Sequence, residues 1–412
     1  MKYSISILCL LLVAGHTKAQ ARLDFVKNHI TYLASDELQG RAPGTKGEKL
    51  AQDYIVSAFE YLELKPAGTK RYLQPFDYVE RAHAHSGEGK GINRNGANVI
   101  GYLNNGASKT IVVGAHYDHL GHEDGRGSSL DAAPDGKIHN GADDNASGVA
   151  GLLELARIYA TNKEKEKVNF LFMAYSAEEA GLVGSKYYTN HPTRSLENVV
   201  AMVNMDMIGR LRDSTRSLIV GGVGTSPAWI PMVERTNAGL QKPFVLKFDT
   251  SGMGPSDHAS FYLKNIPVLH FFSGTHSDYH KPTDDIEKIN FHGEVEIIDY
   301  IKKVIDSAAL HSNITFTKTA VSERKVSAFK VTLGIMADYA FPGPGVKVDG
   351  VSPGKAAEKA GFLPGDLIMK LGDYDTADIY KYMEALGKFQ KGQKTMAEFV
   401  RGKERKKVEV EF

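Results

Sequence analysis

Five short stretches of this 412-residue chain bring histidines and carboxylates close together. They are GAHYDH (Gly114 to His119), GADDNASG (Gly141 to Gly148), the pair Glu178 and Glu179, NMDMIG (Asn204 to Gly209) and DYHKPTDD (Asp278 to Asp285). Imidazole and carboxylate are the ligands zinc takes where thiolates are absent, and a catalytic zinc keeps one position for water. Two-metal hydrolases hold their ions about 3.5 to 4 Å apart, close enough to share one carboxylate and one hydroxide. The chain offers His116, Asp143, Glu179, Asp206 and His280 for such a site. Three carboxylates against two divalent ions leave one positive charge, which a bridging hydroxide would neutralise. Glu178 then stands beside the ligands without being needed as one. Its expected task is to take a proton from the water and hand it to the leaving amine, as general base and then acid. Taken singly, these residues mean little: an acidic pair is usually a solvated loop or helix start. Their joint placement carries the reading.

That placement depends on the elements around them. TIVVGAH (Thr110 to His116), VNFLFMAYSAEE (Val168 to Glu179), VVAMVNMDM (Val199 to Met207) and VLHFF (Val268 to Phe272) are short apolar runs, as are NVIGYL (Asn98 to Leu103) and SLIVGG (Ser217 to Gly222). Such runs read as strands buried on both faces. Helical spacing lies between them, in NASGVAGLLELARIYATN, SPAWIPMVERTNAGL, SDHASFYLKN and EVEIIDYIKKVIDSAAL, and earlier from about Gly47 to Tyr61, where Leu50, Tyr54, Ile55, Ala58 and Phe59 share a face. Strands alternating with helices predict an α/β fold, a three-layer sandwich whose mixed sheet is parallel in its centre. Chemistry then belongs at the carboxyl ends of the strands, which is where the clusters fall. Residues 66–97 read as an edge strand and a long loop, with His83 and His85 as loop residues.

Composition narrows the partners. Lys plus Arg number 50 and Asp plus Glu 49, a net charge of +1, which argues against a nucleic-acid partner. Residues 1–20 read as a signal peptide, with Lys2, an apolar run from Ile5 to Val13 too short to span a bilayer, and small residues at Ala19 and Ala21. The expectation is a secreted or periplasmic protein with no membrane span after signal removal. Cys9, the only cysteine, lies in that run, so the mature chain is expected to have neither thiol nor disulfide. A domain over 21–310 is followed by a polar linker, 311–327, and a compact second domain, 328–412.

The set GAHYDH, NGADDNASG, SAEE, NMDMIG and DYHKPTDD resembles the co-catalytic dizinc aminopeptidases, metallopeptidase family twenty-eight, and LASDELQGRAPGTKGE resembles the opening of its bacterial secreted members. The likeness covers about residues 22–310. It implies two zinc ions per chain, peptide substrates and removal of N-terminal residues. It also implies roles. Asp143 would bridge both ions, His116 and Asp206 would complete one, and Glu179 and His280 the other. Asp118 would orient His116, and Tyr279 would donate to the oxyanion of the tetrahedral intermediate. The resemblance further implies a cis bond between Asp143 and Asp144, and a supporting or substrate-facing place for Asp257 and His258. His119, His122, His139 and His276 receive no metal role.

VSPGKAAEKAGFLPGDLIMKLGD resembles a PDZ domain of the circularly permuted bacterial type, which implies a site near Gly334 for a peptide C-terminus. A plain docking module is the simpler reading of the same stretch. For the whole chain the rivals to an aminopeptidase are a zinc carboxypeptidase or dipeptidase, for which Arg210 would supply the cation, and a non-catalytic peptide-binding protein. A glutaminyl cyclase resembles a one-zinc version of the site, and this chain keeps every ligand of the two-zinc set.

Overall fold

The computed structural model describes residues 20–80, 92–122, 129–131, 133–311, 314–319, 331–337, 344–351, 354–377 and 379–412. The expected signal peptide, His83, His85, and the pair Ser352 and Pro353 lie outside these residues. Helices α1 (20–33) and α2 (Lys46–Tyr61) open the chain. The strands that follow are β1 (Lys65–Pro66), β2 (Leu73–Glu80), β3 (Ile92–Leu103), β4 (Thr110–His116), β5 (Gly121–His122), β6 (Ile138–His139), β7 (Asn169–Tyr175), β8 (Val199–Met205), β9 (Ser217–Gly221), β10 (Val245–Phe248) and β11 (Val268–Phe272). Helices α3 (Gly148–Thr161), α4 (Val183–Asn190), α5 (Trp229–Ala238), α6 (His258–Tyr262) and α7 (Phe291–Leu310) lie among and after them.

Among the described residues the main sheet runs β1-β3-β7-β4-β8-β11-β9-β10, with β2 paired to β3. The central pairs β4 with β7, β4 with β8, and β8 with β11 are parallel, while β3 with β7 and β9 with β11 are antiparallel. This is the mixed, centrally parallel sheet that the sequence pattern predicts. Side chains alternate across it, as the twofold period of a strand requires. Ile111, Val113, Ala115, Phe170, Phe172 and Ala174 join the core beneath α1, α2, α3, α5 and α7. Val112, Leu171, Met173 and Met202 join the opposite core with Tyr188 of α4 and Phe261 of α6. Both faces are covered, so the strands carry the continuous apolar runs seen in the sequence.

Some elements differ from expectation. Of the stretch expected to be an edge strand and a long loop, Leu73–Glu80 is that strand, but β3 begins already at Ile92 and pairs with it in register from Leu73 opposite Val99 to Glu80 opposite Ile92. Its polar alternation suits an edge, whose pairing comes from the partner strand and not from apolar content. Helix α4 and edge strand β10, of 8 and 4 residues, are too short for their pattern to stand out in the sequence. On α2, Ile55 and Phe59 are fully buried, whereas Leu50, Tyr54 and Ala58 sit at the margin of the core.

The expected linker is anchored in its described part. Thr317 N–H donates to the Thr225 carbonyl at 2.8 Å, Thr319 N–H donates to the Tyr262 hydroxyl at 3.0 Å, and the Phe316 and Tyr262 rings lie 5.5 Å apart. Beyond it, β12 (Ile335–Ala337), β13 (Val346–Val351), β14 (Leu367–Leu371), β15 (Tyr374–Asp375), β16 (Lys394–Arg401) and β17 (Glu404–Glu411) form a second, antiparallel sheet in the order β12-β13-β14-β16-β17, with β15 on β14. Helices α8 (Ala356–Lys359) and α9 (Ile379–Leu386) accompany it, and Val348, Phe362, Ile368, Leu386 and Phe399 belong to its own core.

Candidate metal centre

Strand ends deliver the site. His116 is the last residue of β4, Asp206 follows β8, Glu178 and Glu179 follow β7, and His276 to His280 lie in the loop after β11. Asp143 and Asp144 come from the turn before α3, where Gly141 has φ +57. A Cβ on Gly141 would lie 2.0 Å from the Asp144 carbonyl oxygen, so only glycine fits this turn.

Asp144, and not Asp143, stands at the centre. One Asp144 oxygen, Oδ1, lies 3.4 Å from His116 Nε2, and the other, Oδ2, lies 3.3 Å from His280 Nε2. His116 Nε2 is also 3.3 Å from Asp206 Oδ1, and His280 Nε2 is 3.2 Å from Glu179 Oε2. One carboxylate therefore offers an oxygen to each of two clusters. The Asp143 carboxylate is turned away and used in structure. Its Oδ1 accepts from Gly209 N–H at 2.7 Å and from the Ser147 hydroxyl at 3.1 Å, and its Oδ2 lies 3.1 Å from His276 Nε2. The expectation of Asp143 as the shared ligand is corrected on these grounds. The cis peptide bond is likewise Asp144–Asn145, one residue later than expected.

The remaining expected residues gather here with altered partners. Glu178 groups with His116 and Asp206, one donor atom from each lying within 4.8 Å of the others. Asp118 lies beside His116, but its Oδ1 is 3.7 Å from Nδ1, beyond hydrogen bonding. Its carboxylate instead accepts from the N–H groups of Glu178 at 3.1 Å and Glu179 at 3.3 Å, holding the acidic pair in place. The half-buried Tyr279 ring stacks on His280 at 3.9 Å. Asp257 and His258 are wholly buried behind the site, with His258 stacked on His270 at 4.6 Å. Arg210 is engaged by Asp278 at 3.0 Å and lies 3.9 Å from Asp284.

Two further residues join the site, His119, which was expected to have no metal role, and Asp284. His119 Nδ1 lies 2.8 Å from Glu179 Oε1, and His119, Asp144 and Glu179 form a second close donor group. Asp284 is buried and accepts from the N–H groups of Asp143 and Asp144, each at 3.0 Å, fixing the turn that presents Asp144. His119 could have been found as the second imidazole of GAHYDH. Asp284 had no signal beyond its place in TDD.

The charges fit a cation. Burial alone would lower the pKa of His116, but Glu178, Asp206 and further carboxylates raise it well above the ordinary histidine value. His280 is raised in the same way, against burial, by Glu179 and Asp144. Burial would raise Glu179, but His280 brings it down to about 2. Glu178 is pushed well above the carboxylate range, by burial first, against the pull of His116. The site thus draws protons onto buried imidazoles to offset crowded carboxylates, a demand that divalent ions satisfy better. Imidazole nitrogens and carboxylate oxygens without thiolate form a donor set that suits zinc.

The profile of peptidase family M28 matches residues 98–305, just over half of the chain. Leupeptin-inactivating enzyme 1 of Streptomyces exfoliatus is 30% identical over 288 residues, covering 67% of this chain and 54% of that protein. Aminopeptidase YwaD of Bacillus subtilis is 30% identical over 190 residues, covering 44% of this chain and 37% of that protein. The chain thus spans about half or less of the length of these two relatives. A zinc aminopeptidase structure from Bacillus subtilis superposes with a TM-score of 0.55 at 18% identity, covering 69% of this chain and 95% of that one. At that identity the superposition supports the fold alone.

Proposed function

The chain belongs to peptidase family M28, and we propose that it is a dizinc aminopeptidase that releases N-terminal residues from peptides. The observation that carries this is Asp144, whose two oxygens face His116 and His280 at 3.4 and 3.3 Å, so that one carboxylate serves two clusters. His116, Asp206 and Asp144 would hold one ion, and Glu179, His280 and Asp144 the other. Bound there, divalent zinc would polarise the scissile carbonyl and ease deprotonation of a water.

The chain's own residues do the rest. Glu178, buried and grouped with His116 and Asp206, takes the proton of the attacking water as a carboxylate and returns it to the leaving amine. Asp118 keeps Glu178 and Glu179 in register through their N–H groups. Tyr279, packed on His280, is the donor proposed for the developing oxyanion. The carboxylates crowded at the site suit a substrate's free α-amine. Arg210, which a carboxypeptidase would need free for the substrate carboxylate, is ion-paired with Asp278. This favours the aminopeptidase over the carboxypeptidase reading. Glu178→Gln is expected to lower kcat about 10²–10⁴-fold while bound zinc stays near the wild-type level. A panel of free, N-blocked and C-blocked dipeptides decides direction, and cleavage of N-blocked substrates would defeat the proposal.

Residues 1–20 supply the signal that would take the chain out of the cytoplasm; among the described residues no helix is long and apolar enough to cross a membrane. The C-terminal sheet is proposed as a PDZ-like receiver of peptide C-termini. Gly334, at φ +77, precedes β12, which among the described residues is an edge strand open to strand addition. Binding of free but not amidated peptide C-termini to the Glu178→Gln chain tests it.

A further inference from the structure

The stretch LASDELQGRAPGTKGE plays no part in the chemistry above, yet its buried charges reach the loops that carry the ligands. The Arg41 side chain is 1% exposed. Its Nε donates to the Tyr117 carbonyl at 2.7 Å, Nη1 to those of Asn140 at 2.6 Å and Leu33, and Nη2 to that of Gly141 at 3.1 Å. The Arg41 carbonyl in turn accepts from His119 N–H at 3.4 Å. One planar fork therefore ties the residue after His116 to the turn that presents Asp144, and each of these acceptors is a peptide carbonyl.

The backbone goes to unusual lengths to put it there. Gln39, Gly40 and Arg41 all have left-handed φ, at +51, +68 and +52. Two of them are not glycine, and L side chains rarely adopt this conformation. A Cβ on Gly40 would lie 2.4 Å from the His139 carbonyl, so the segment is pressed against the strand that leads into the Asp144 turn. Seven residues on, Glu48 serves the other ligand loop. It accepts from the Tyr117 hydroxyl at 3.1 Å and from Ser176, two residues before Glu178.

We infer that Arg41 is a positioning residue that sets the spacing of the His116 and Asp144 loops and thereby the affinity of the site for zinc. The inference rests on the dizinc reading above. Two physical effects of removing Arg41 oppose each other and so can be separated. Its charge repels cations, and Asp118, Asp144, Asp284 and Glu179 lie within reach of its field. A purely electrostatic role predicts that zinc binds more tightly without it. A positioning role predicts weaker binding, because two ligand loops lose their common anchor.

Zinc affinity of the full chain is measured by competition with a chromogenic chelator for wild type, Arg41→Met, Arg41→Lys and Phe59→Ala. Phe59 is fully buried in α2 and packs toward Tyr72 and Gly101, so its truncation serves as a control for lowered stability. Both Arg41 variants are expected to bind zinc about 10–100-fold more weakly, while Phe59→Ala stays within about threefold of wild type. Arg41→Lys keeps the charge but not the fork, so it carries the test should Arg41→Met not fold. Unchanged or tighter binding in Arg41→Lys overturns the inference, as does an equal loss in Phe59→Ala. A wild-type chain that binds no zinc overturns the dizinc reading, and this inference with it.

Discussion

Replacing Asp144 with Asn, and separately Asp143 with Asn, should have opposite consequences. Asp144 offers one oxygen to each cluster, 3.4 Å from His116 Nε2 and 3.3 Å from His280 Nε2. The amide keeps a carbonyl oxygen but gives up the negative charge, a loss of about 2–3 kcal/mol on the scale of charge-assisted contacts. That corresponds to roughly 30–150-fold in affinity, and it applies to both clusters because both lean on the same carboxylate. Asp144→Asn is therefore expected to lose zinc at both positions together. Asp143→Asn keeps one acceptor oxygen and turns the other into a donor, so the contacts of Gly209 and Ser147 to Oδ1 and of His276 to Oδ2 can no longer all be made. Its cost should be about 1–3 kcal/mol of stability with little change in metal content. Chelator competition and urea unfolding on the two variants measure both quantities. An Asp143→Asn protein that loses zinc beside an Asp144→Asn protein that retains it would refute the assignment.

His29 is buried, hydrogen-bonded to the Tyr54 hydroxyl at 2.7 Å, and lowered to about 4, by burial first and then by Arg157. Between pH 6.5 and 4 the unfolded chain binds the proton that the folded chain refuses, so stability is full above that window and lost on descending through it. The loss is about 3 kcal/mol, and His29→Gln should flatten this part of the pH profile of urea midpoints; identical profiles would count against it. A Cβ on Gly47 would lie 1.7 Å from the Leu38 carbonyl oxygen, so Gly47→Ala should cost at least about 3 kcal/mol by thermal unfolding. Glu294 is buried in α7 and, among the described residues, neither of its oxygens has a hydrogen-bond partner. Burial first, and Asp143 second, raise it well above the carboxylate range. Its folded-state pKa exceeds its unfolded value, so stability falls as pH rises beyond the ordinary glutamate range. Glu294→Gln should then be more stable than wild type at pH 8 by about 1–3 kcal/mol, and a destabilised variant would contradict this.

The apolar runs from Thr110 to Phe272 were legible in the sequence because strands covered on both faces must be apolar throughout, and the clusters at their carboxyl ends followed from that. His116, Glu179, Asp206 and His280 could be singled out by type and place. The choice between Asp143 and Asp144 could not. Both are acids in one short turn, and which of them faces the histidines depends on the backbone path after Gly141 and on Asp284 holding both N–H groups from 140 residues away. The same holds for His119 and Arg41, whose partners Glu179, Tyr117 and Asn140 are remote in the chain. Local pattern determined which kinds of residues end which strands, because periodicity and burial act over a few residues. Only the tertiary structure decided which of two adjacent carboxylates is shared and what holds it there, because those contacts join segments with no local relation.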